Sequence, residues 1–497
     1  MRTGNREVFR MSMVLLALLV LCAAAILPAA AAPSAADQVK AICDKTLTDP
    51  FQAHGVQAVL IQSMDTGKVI YDHNGDMNLV PASNMKILAT GAALDLIGPD
   101  FKMTTSLYAT RKPNDDGVIK GDLVLVGQGD SILKIEHLQK MVDKLKEMGV
   151  TKIKGNIVGD DTWFDDQRLA PGWAWDDEQY YDCSQPSGLN VNENLIEVFV
   201  KPGKKAGDPA VVELRPDTKF MQIKNECVTG AAGSGWTADC SRIHETNTIR
   251  VYGSVPAGSN GSTLYPLSMD HPTEFVCTVF KELCEKSGIK VTGKAIRGTK
   301  PEKVILIASH DSPPLAEVIH ILLKPSDNFM AECLLKTLGK VVKGQGSFSA
   351  GIAVETEWLK NMGCDMNQIY IADSSGQSRC NLISAHNLVV ILTHIYKGKY
   401  YDIISNGFPI AGVDSHLKDR MLGTPAVNNV KAKTGYIPRQ CSLSGYCTTL
   451  AGEHMAVSVI QNNHMCSLEE AYVMQDEIFT AVSRITTRTD AEPGTSK

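Results

Sequence analysis

The stretch Pro81-Ala82-Ser83-Asn84-Met85-Lys86-Ile87-Leu88-Ala89-Thr90 places a serine and a lysine three residues apart at the head of an apolar run. If the run is a helix, positions i and i+3 share one face, so the Lys86 amine reaches the Ser83 hydroxyl. A serine at its ordinary pKa is a poor nucleophile and needs an adjacent base. A lysine serves as that base only where burial or a nearby cation lowers its pKa. Helix N-terminal amides add partial positive charge where an oxyanion forms. One turn of chain then supplies both a nucleophile and its activator.

Alone, the spacing carries little, because Ser131 and Lys134, Ser287 and Lys290, and Ser415 and Lys418 repeat it. Ser83 is distinguished by two further motifs downstream, in a fixed order. Ser326-Asp327-Asn328 comes first and Lys433-Thr434-Gly435 after it, each occurring once. The other pairs lack that context: Ser131 comes after the turn Gly127-Gln128-Gly129-Asp130, Ser287 leads into a Gly-containing strand, and Ser415 lies beyond the Ser326 element.

With these three motifs the chain resembles the penicillin-binding proteins and active-site serine β-lactamases. Further stretches narrow the resemblance to the D-alanyl-D-alanine carboxypeptidase/endopeptidase family of the penicillin-binding protein 4 type. They are Gly121 to Leu125 with Gly127 to Asp130, Ala170 to Asp177, Leu189 to Asn194, and Asp373-Ser374-Ser375-Gly376-Gln377-Ser378-Arg379. The resemblance implies an α+β fold, a transpeptidase-like antiparallel sheet flanked by helices, with a large inserted region of one or two small domains. It also implies roles. Ser83 attacks, Lys86 takes its proton, Ser326 relays a proton to the leaving amine, and Asn328 holds the substrate backbone. Lys433 supplies positive charge for a terminal carboxylate, Thr434 and Gly435 lie on an edge strand beside the substrate, and the amides of Ser83 and Tyr436 hold the oxyanion. Tyr436 departs from relatives that carry a small hydroxyl residue there, which moves its hydroxyl outward and leaves Thr434 to compensate. The resemblance maps Asp160 and Arg379 onto a pair gripping the amine and carboxylate of a diaminopimelate side chain; the nearby Trp163 reads equally as core or as site.

Composition bounds the rest. At 497 residues, 44% apolar and 21% charged, the chain is globular with room for two or three domains. The net charge of −6 supplies no basic stripe for nucleic acid. Arg2, Arg6 and Arg10, an uncharged run from Met13 to Leu27, and an Ala-rich segment to Ala36 read as a signal peptide. An uncleaved anchor is the alternative, with at most peripheral membrane association. The expected location is exported, periplasmic or envelope-associated. Export permits disulfides, and Cys227 with Cys240 is the expected pair. Cys333, Cys364 and Cys380 read as small buried hydrophobes. With no C-x-x-C or H-E-x-x-H, no metal or cofactor is expected.

The expected organisation is a signal segment over 1–36, a catalytic domain from 37–105 plus 305–490, an insert over 106–304, and a disordered tail over 491–497. Alternating residues at Gln57 to Gln62 and Val69 to Asp72 predict a hairpin around Asp65-Thr66-Gly67. Lys431 to Tyr436, Ser442 to Leu450 and Met455 to Gln461 predict strands, and Leu468 to Ser483 a closing helix. The expected function is acyl transfer on peptidoglycan stem peptides, as carboxypeptidase, endopeptidase or both, with β-lactams as covalent inhibitors. Two rivals stand beside it: a β-lactamase, for which Glu357 to Asn361 matches E-x-x-x-N by letters, and a silent wall-binding scaffold.

Overall fold

The expected hairpin forms from Val56–Ser63 and Val69–His73. In this computed structural model, which describes residues 33–48 and 54–490, it belongs to a five-stranded antiparallel sheet. The spatial order is Val69–His73, Val56–Ser63, His454–Asn462, Gln440–Thr448, Lys431–Ile437, so the first and last parts of the chain share one sheet. Its central strands are almost wholly buried because both faces are covered. Alternation sorts the side chains: Ala58 and Leu60 enter one core, Val59 and Ile61 the other.

The first core lies under helices Met85–Leu96, Leu315–Leu323, Asn328–Lys343, Phe348–Asn361 and Ala385–Lys397. The second lies under Ala35–Leu47 and Leu468–Ser483, which pack on each other as well as on the sheet. These helices start where the sequence supplies caps. Ser34 accepts from Asp37 N at 3.1 Å, Asp327 from Met330 N at 2.8 Å, and Ser467 from Glu470 N at 3.2 Å.

Between helix Met85–Leu96 and Leu315 the chain builds its own core. A second five-stranded sheet runs in the order Ala295–Arg297, Ile157–Asp160, Leu123–Gly127, Thr104–Ala109, Ile305–Asp311. Helices Ile135–Glu147 and Pro272–Lys286 pack against it, and smaller sheets form around Leu195–Lys201 and Thr248–Tyr252. The boundary therefore differs from the expected 106–304. Thr104–Ala109 and Ile305–Asp311 pair with each other, so both belong to the insert and the catalytic unit resumes near Leu315.

Two cysteine expectations change. Cys227 and Cys240 are both free thiols, facing the separate carbonyls of Val228 and Tyr265. Cys333 and Cys364 are buried, but Cys380 is exposed because it ends the surface turn after Arg379. Residues 1–32 of the expected 1–36 signal segment and the expected 491–497 tail lie outside the described residues, while helix Ala35–Leu47 starts inside the expected segment.

Candidate active site

Ser83 sits in a single 3-10 turn, Ala82–Asn84, directly before helix Met85–Leu96. Ala82 has φ +48, a left-handed conformation that a non-glycine residue keeps only where its surroundings over-determine it. They do. Asn462 accepts from Val80 N at 2.7 Å and donates to Val80 O at 2.9 Å, and Asn84 Nδ2 donates to Lys433 O at 3.0 Å. The Ser83 turn is thereby bolted to the sheet.

Lys86 is fully buried, and burial lowers its pKa to about 8 against the opposing pull of Asp373, Glu332, Asp327 and Asp182. Its Nζ lies 2.9 Å from Ser83 Oγ, 2.6 Å from Asn328 Oδ1 and 2.6 Å from Ser375 O. The Asn328 amide orientation is fixed by its other end, since Nδ2 donates to Asp182 O at 3.0 Å and Gln377 Oε1 at 3.3 Å. Both Asn328 Oδ1 and Ser375 O can only accept. A neutral amine spends its two N–H groups on them, which leaves its lone pair facing the Ser83 hydroxyl.

The second and third motifs meet on the opposite side. Lys433 is fully buried and donates to Ser326 Oγ and to Thr434 O, both at 2.8 Å. Burial, with Lys86 close by, pushes its pKa well below the ordinary lysine value. Ser326 has φ +67, a second strained residue at the same centre. Ser83, Ser326, Asn328, Thr434, Gly435 and Tyr436 line one cleft of about 630 Å³. Lys431–Ile437 is the sheet's edge strand; its start pairs with Pro409 and Ile410, and its Thr434 to Tyr436 part lines the cleft. Tyr436 is half exposed on the cleft wall.

The cleft also draws residues that no motif marked: Asp182 and Glu193 from the insert, Gln377, His416 and Tyr472. Glu193 is held by Lys134 at 2.7 Å and stands in the left-handed run Asn192-Glu193-Asn194. Asn190 to Asn194 belongs to a stretch already singled out in the sequence, but nothing in its letters placed Glu193 in the cleft.

The loop from Asp373 to Arg379 closes the back of the site. Gly376 has φ +83, and a Cβ there would lie 1.9 Å from Ala82 O and 2.7 Å from Ser83 N. Only glycine lets the loop touch the nucleophile turn so closely. Gly376→Ala is expected to displace Ser83 and slow its acylation by about 100-fold, measured as the rate of covalent penicillin attachment.

Asp160 and Arg379, the expected substrate-gripping residues, each have partners of their own. Asp160 is buried, its carboxylate accepting from Thr162 N at 3.0 Å and from Lys300 N at 2.7 Å, so it braces its own strand end. Arg379 instead meets Asp177 at 3.3 Å, on the stretch Ala170 to Asp177. Trp163 packs with Phe164, Phe329 and Cys333 in the seam between insert and helix. Glu357 lies on a helix surface, 3.5 Å from Lys343, away from the cleft residues.

A sequence profile of the D-Ala-D-Ala carboxypeptidase 3 (S13) family matches residues 39–484. The chain belongs to that family. It is 35% identical over 435 residues to a D-alanyl-D-alanine carboxypeptidase of Actinomadura sp. (strain R39), covering 85% of this chain and 80% of that one. It is 26% identical over 404 residues to the D-alanyl-D-alanine carboxypeptidase DacB of Haemophilus influenzae, covering 80% and 83%. The crystal structure of penicillin binding protein 4 (dacB) from H. influenzae superposes with a TM-score of 0.78 at 24% identity, over 89% of this chain and 99% of that one. The S13 family thus shares the penicillin-binding fold described above, insert included in the aligned span.

Proposed function

We propose that this S13 chain is a serine D-alanyl-D-alanine carboxypeptidase acting on peptidoglycan stem peptides through an acyl-enzyme on Ser83. The observation that carries the reading is the buried amine of Lys86, with two obligate acceptors and Ser83 Oγ as its three partners. Ser83 Oγ attacks the carbonyl carbon before the terminal D-alanine as its proton passes to Lys86 Nζ. The backbone amides of Ser83 and Tyr436 receive the oxyanion, and Gly435 allows the close approach, since a Cβ there would lie 3.0 Å from Ser83 N. The C–N bond then breaks as the proton taken up by Lys86 passes through Ser326, beside Lys433, to the leaving amine, which returns Lys86 to its neutral form. Water attacks the ester, Lys86 accepts its proton, and Ser83 Oγ leaves as the hydroxyl. A terminal carboxylate beside Lys433 and Thr434 favours the charged form of the Lys433 amine.

The same site accommodates D-alanyl-diaminopimelate cross-bridges, which also join two D-configured centres. One relative of the fold has been crystallised with a β-lactam bound, and a strained β-lactam amide is expected to acylate Ser83 here. Intact-mass analysis after penicillin treatment, with D-alanine release from monomeric and cross-linked muropeptides, tests the reading. A slowly lost adduct with D-alanine release supports it; rapid penicillin turnover favours a β-lactamase, and no adduct favours a scaffold. The Arg-bearing, Ala-rich leader supports a periplasmic or envelope location.

The zwitterion-gripping pair moves from Asp160 to Asp177, opposite Arg379. A carboxylate and a planar guanidinium held 3.3 Å apart suit an amine and a carboxylate on one side chain. Arg379→Ala is expected to lower kcat/KM for diaminopimelyl peptides about 30-fold while sparing a bare acyl-D-Ala-D-Ala, a difference of about 2 kcal/mol. Equal losses on both substrates would remove Arg379 from the substrate site.

A further inference from the structure

A carboxyl group outside all three motifs lies beneath the base. Glu332 is fully buried one turn after Asn328 on helix Asn328–Lys343, so the two side chains share a face. Its Oε1 accepts from Ser375 N at 2.7 Å and its Oε2 from Ser374 N at 3.4 Å. The next peptide unit presents the Ser375 carbonyl to Lys86 Nζ at 2.6 Å, and its N–H, on Gly376, donates to Asp373 Oδ1 at 2.9 Å. Ser374 Oγ is held by Glu355 Oε1 at 2.7 Å. One helix therefore reaches the Lys86 amine twice, directly through Asn328 and indirectly through Glu332 and the Ser374 to Ser375 backbone.

We propose that Glu332 is a positioning residue: it holds the Ser374 and Ser375 amides so that the Ser375 carbonyl takes one Lys86 N–H and leaves the amine's lone pair on Ser83. The inference rests on the acyl-enzyme reading and adds a residue to it. Burying a carboxyl here is costly, as burial and Asp373 together push Glu332 up to about 8. No surface role needs that cost. Lys86 is faced by Asp373 on the loop, by Asp327 and Glu332 on the helix, by Asp182 from the insert and by Lys433 on the edge strand. Asp373 and Glu332 both draw positive charge onto the amine and grip the segment that orients it, Asp373 through Gly376 N and Glu332 through Ser374 N and Ser375 N.

The test compares Glu332→Gln, which keeps shape without charge, with Glu332→Asp, which keeps charge without reach. The readouts are the second-order rate of Ser83 acylation by a fluorescent penicillin across pH, and kcat and KM for an acyl-D-Ala-D-Ala peptide. Both variants are expected to acylate at least about tenfold more slowly with KM within about twofold. The acidic limb of the acylation profile is expected to move to lower pH by up to about half a unit in Glu332→Gln alone, because near pH 8, where Glu332 itself loses its proton, its charge no longer helps hold the proton on Lys86. Glu355→Gln, whose Oε1 can still accept from Ser374, is expected to keep the wild-type profile. Wild-type rates and an unmoved limb in a folded Glu332→Gln overturn the proposal; if that variant does not fold, a wild-type rate in Glu332→Asp overturns it. A wild-type chain without an adduct overturns the acyl-enzyme reading and this inference with it.

Discussion

Replacing Ser83 with alanine is expected to abolish the penicillin adduct and to lower D-alanine release by at least about 10⁴-fold. Among the described residues, the Ser83 hydroxyl, 2.9 Å from the Lys86 amine, is the ester-forming group hydrogen-bonded to it. The fold should survive, since Ser83 donates to none of the contacts that fix its turn, which run through Val80, Pro81 and Asn84. Intact-mass analysis and a D-alanine assay measure both outcomes, with thermal unfolding as the check on folding. An adduct retained in a folded Ser83→Ala variant would place the nucleophile elsewhere.

The second large effect belongs to Lys86, and its sign comes from burial. Only the neutral amine can take the serine proton, and burial brings its pKa to about 8. The free enzyme's kcat/KM is therefore expected to rise with pH through that value and to fall about tenfold for each unit further below it. Lys86→Ala is expected to cost about 10³- to 10⁴-fold in acylation and to erase this limb, whatever residual rate remains. A limb that persists in the variant would assign the titration to another group, and Glu332, also brought to about 8, is the first to examine. Wild-type, Glu332→Gln and Lys86→Ala profiles recorded together separate the two.

The three motifs are legible as an ordered set, through the family resemblance, and each also has a local geometric context. An i, i+3 pair on a helix, a cap before a helix and a glycine on an edge strand can all be read from neighbouring letters. The hairpin and the C-terminal strands are legible for the same reason, through alternation. What stays hidden depends on distant packing. Asp160 and Asp177 are equally acidic in sequence, and only the path of the insert decides that the first is sealed by Thr162 and Lys300 while the second meets Arg379. Neighbouring letters cannot assign Thr104–Ala109 and Ile305–Asp311 to the insert, because their pairing spans the whole of it. Helix Pro272–Lys286 is within reach: Phe275, Val276, Val279 and Phe280 keep helical spacing, but Gly- and Asn-rich neighbours mask it. Glu332 carries a signal too, standing four residues after Asn328, although an apolar helix face gives no hint that a carboxyl is needed there.

The order of strands in the catalytic sheet has a consequence for biogenesis. Val56–Ser63 hydrogen-bonds to His454–Asn462, so its main partner leaves the ribosome long after it. The insert, by contrast, closes on itself between Thr104 and Asp311 and can gain its own core while synthesis continues, bringing the end of helix Met85–Leu96 beside the start of helix Leu315–Leu323. That early closure shortens the effective loop the late strand must span, which lowers the entropy cost of its docking. A chain truncated before His454 would then carry a finished insert and no working serine, a protein harmless to the wall until its final strand arrives.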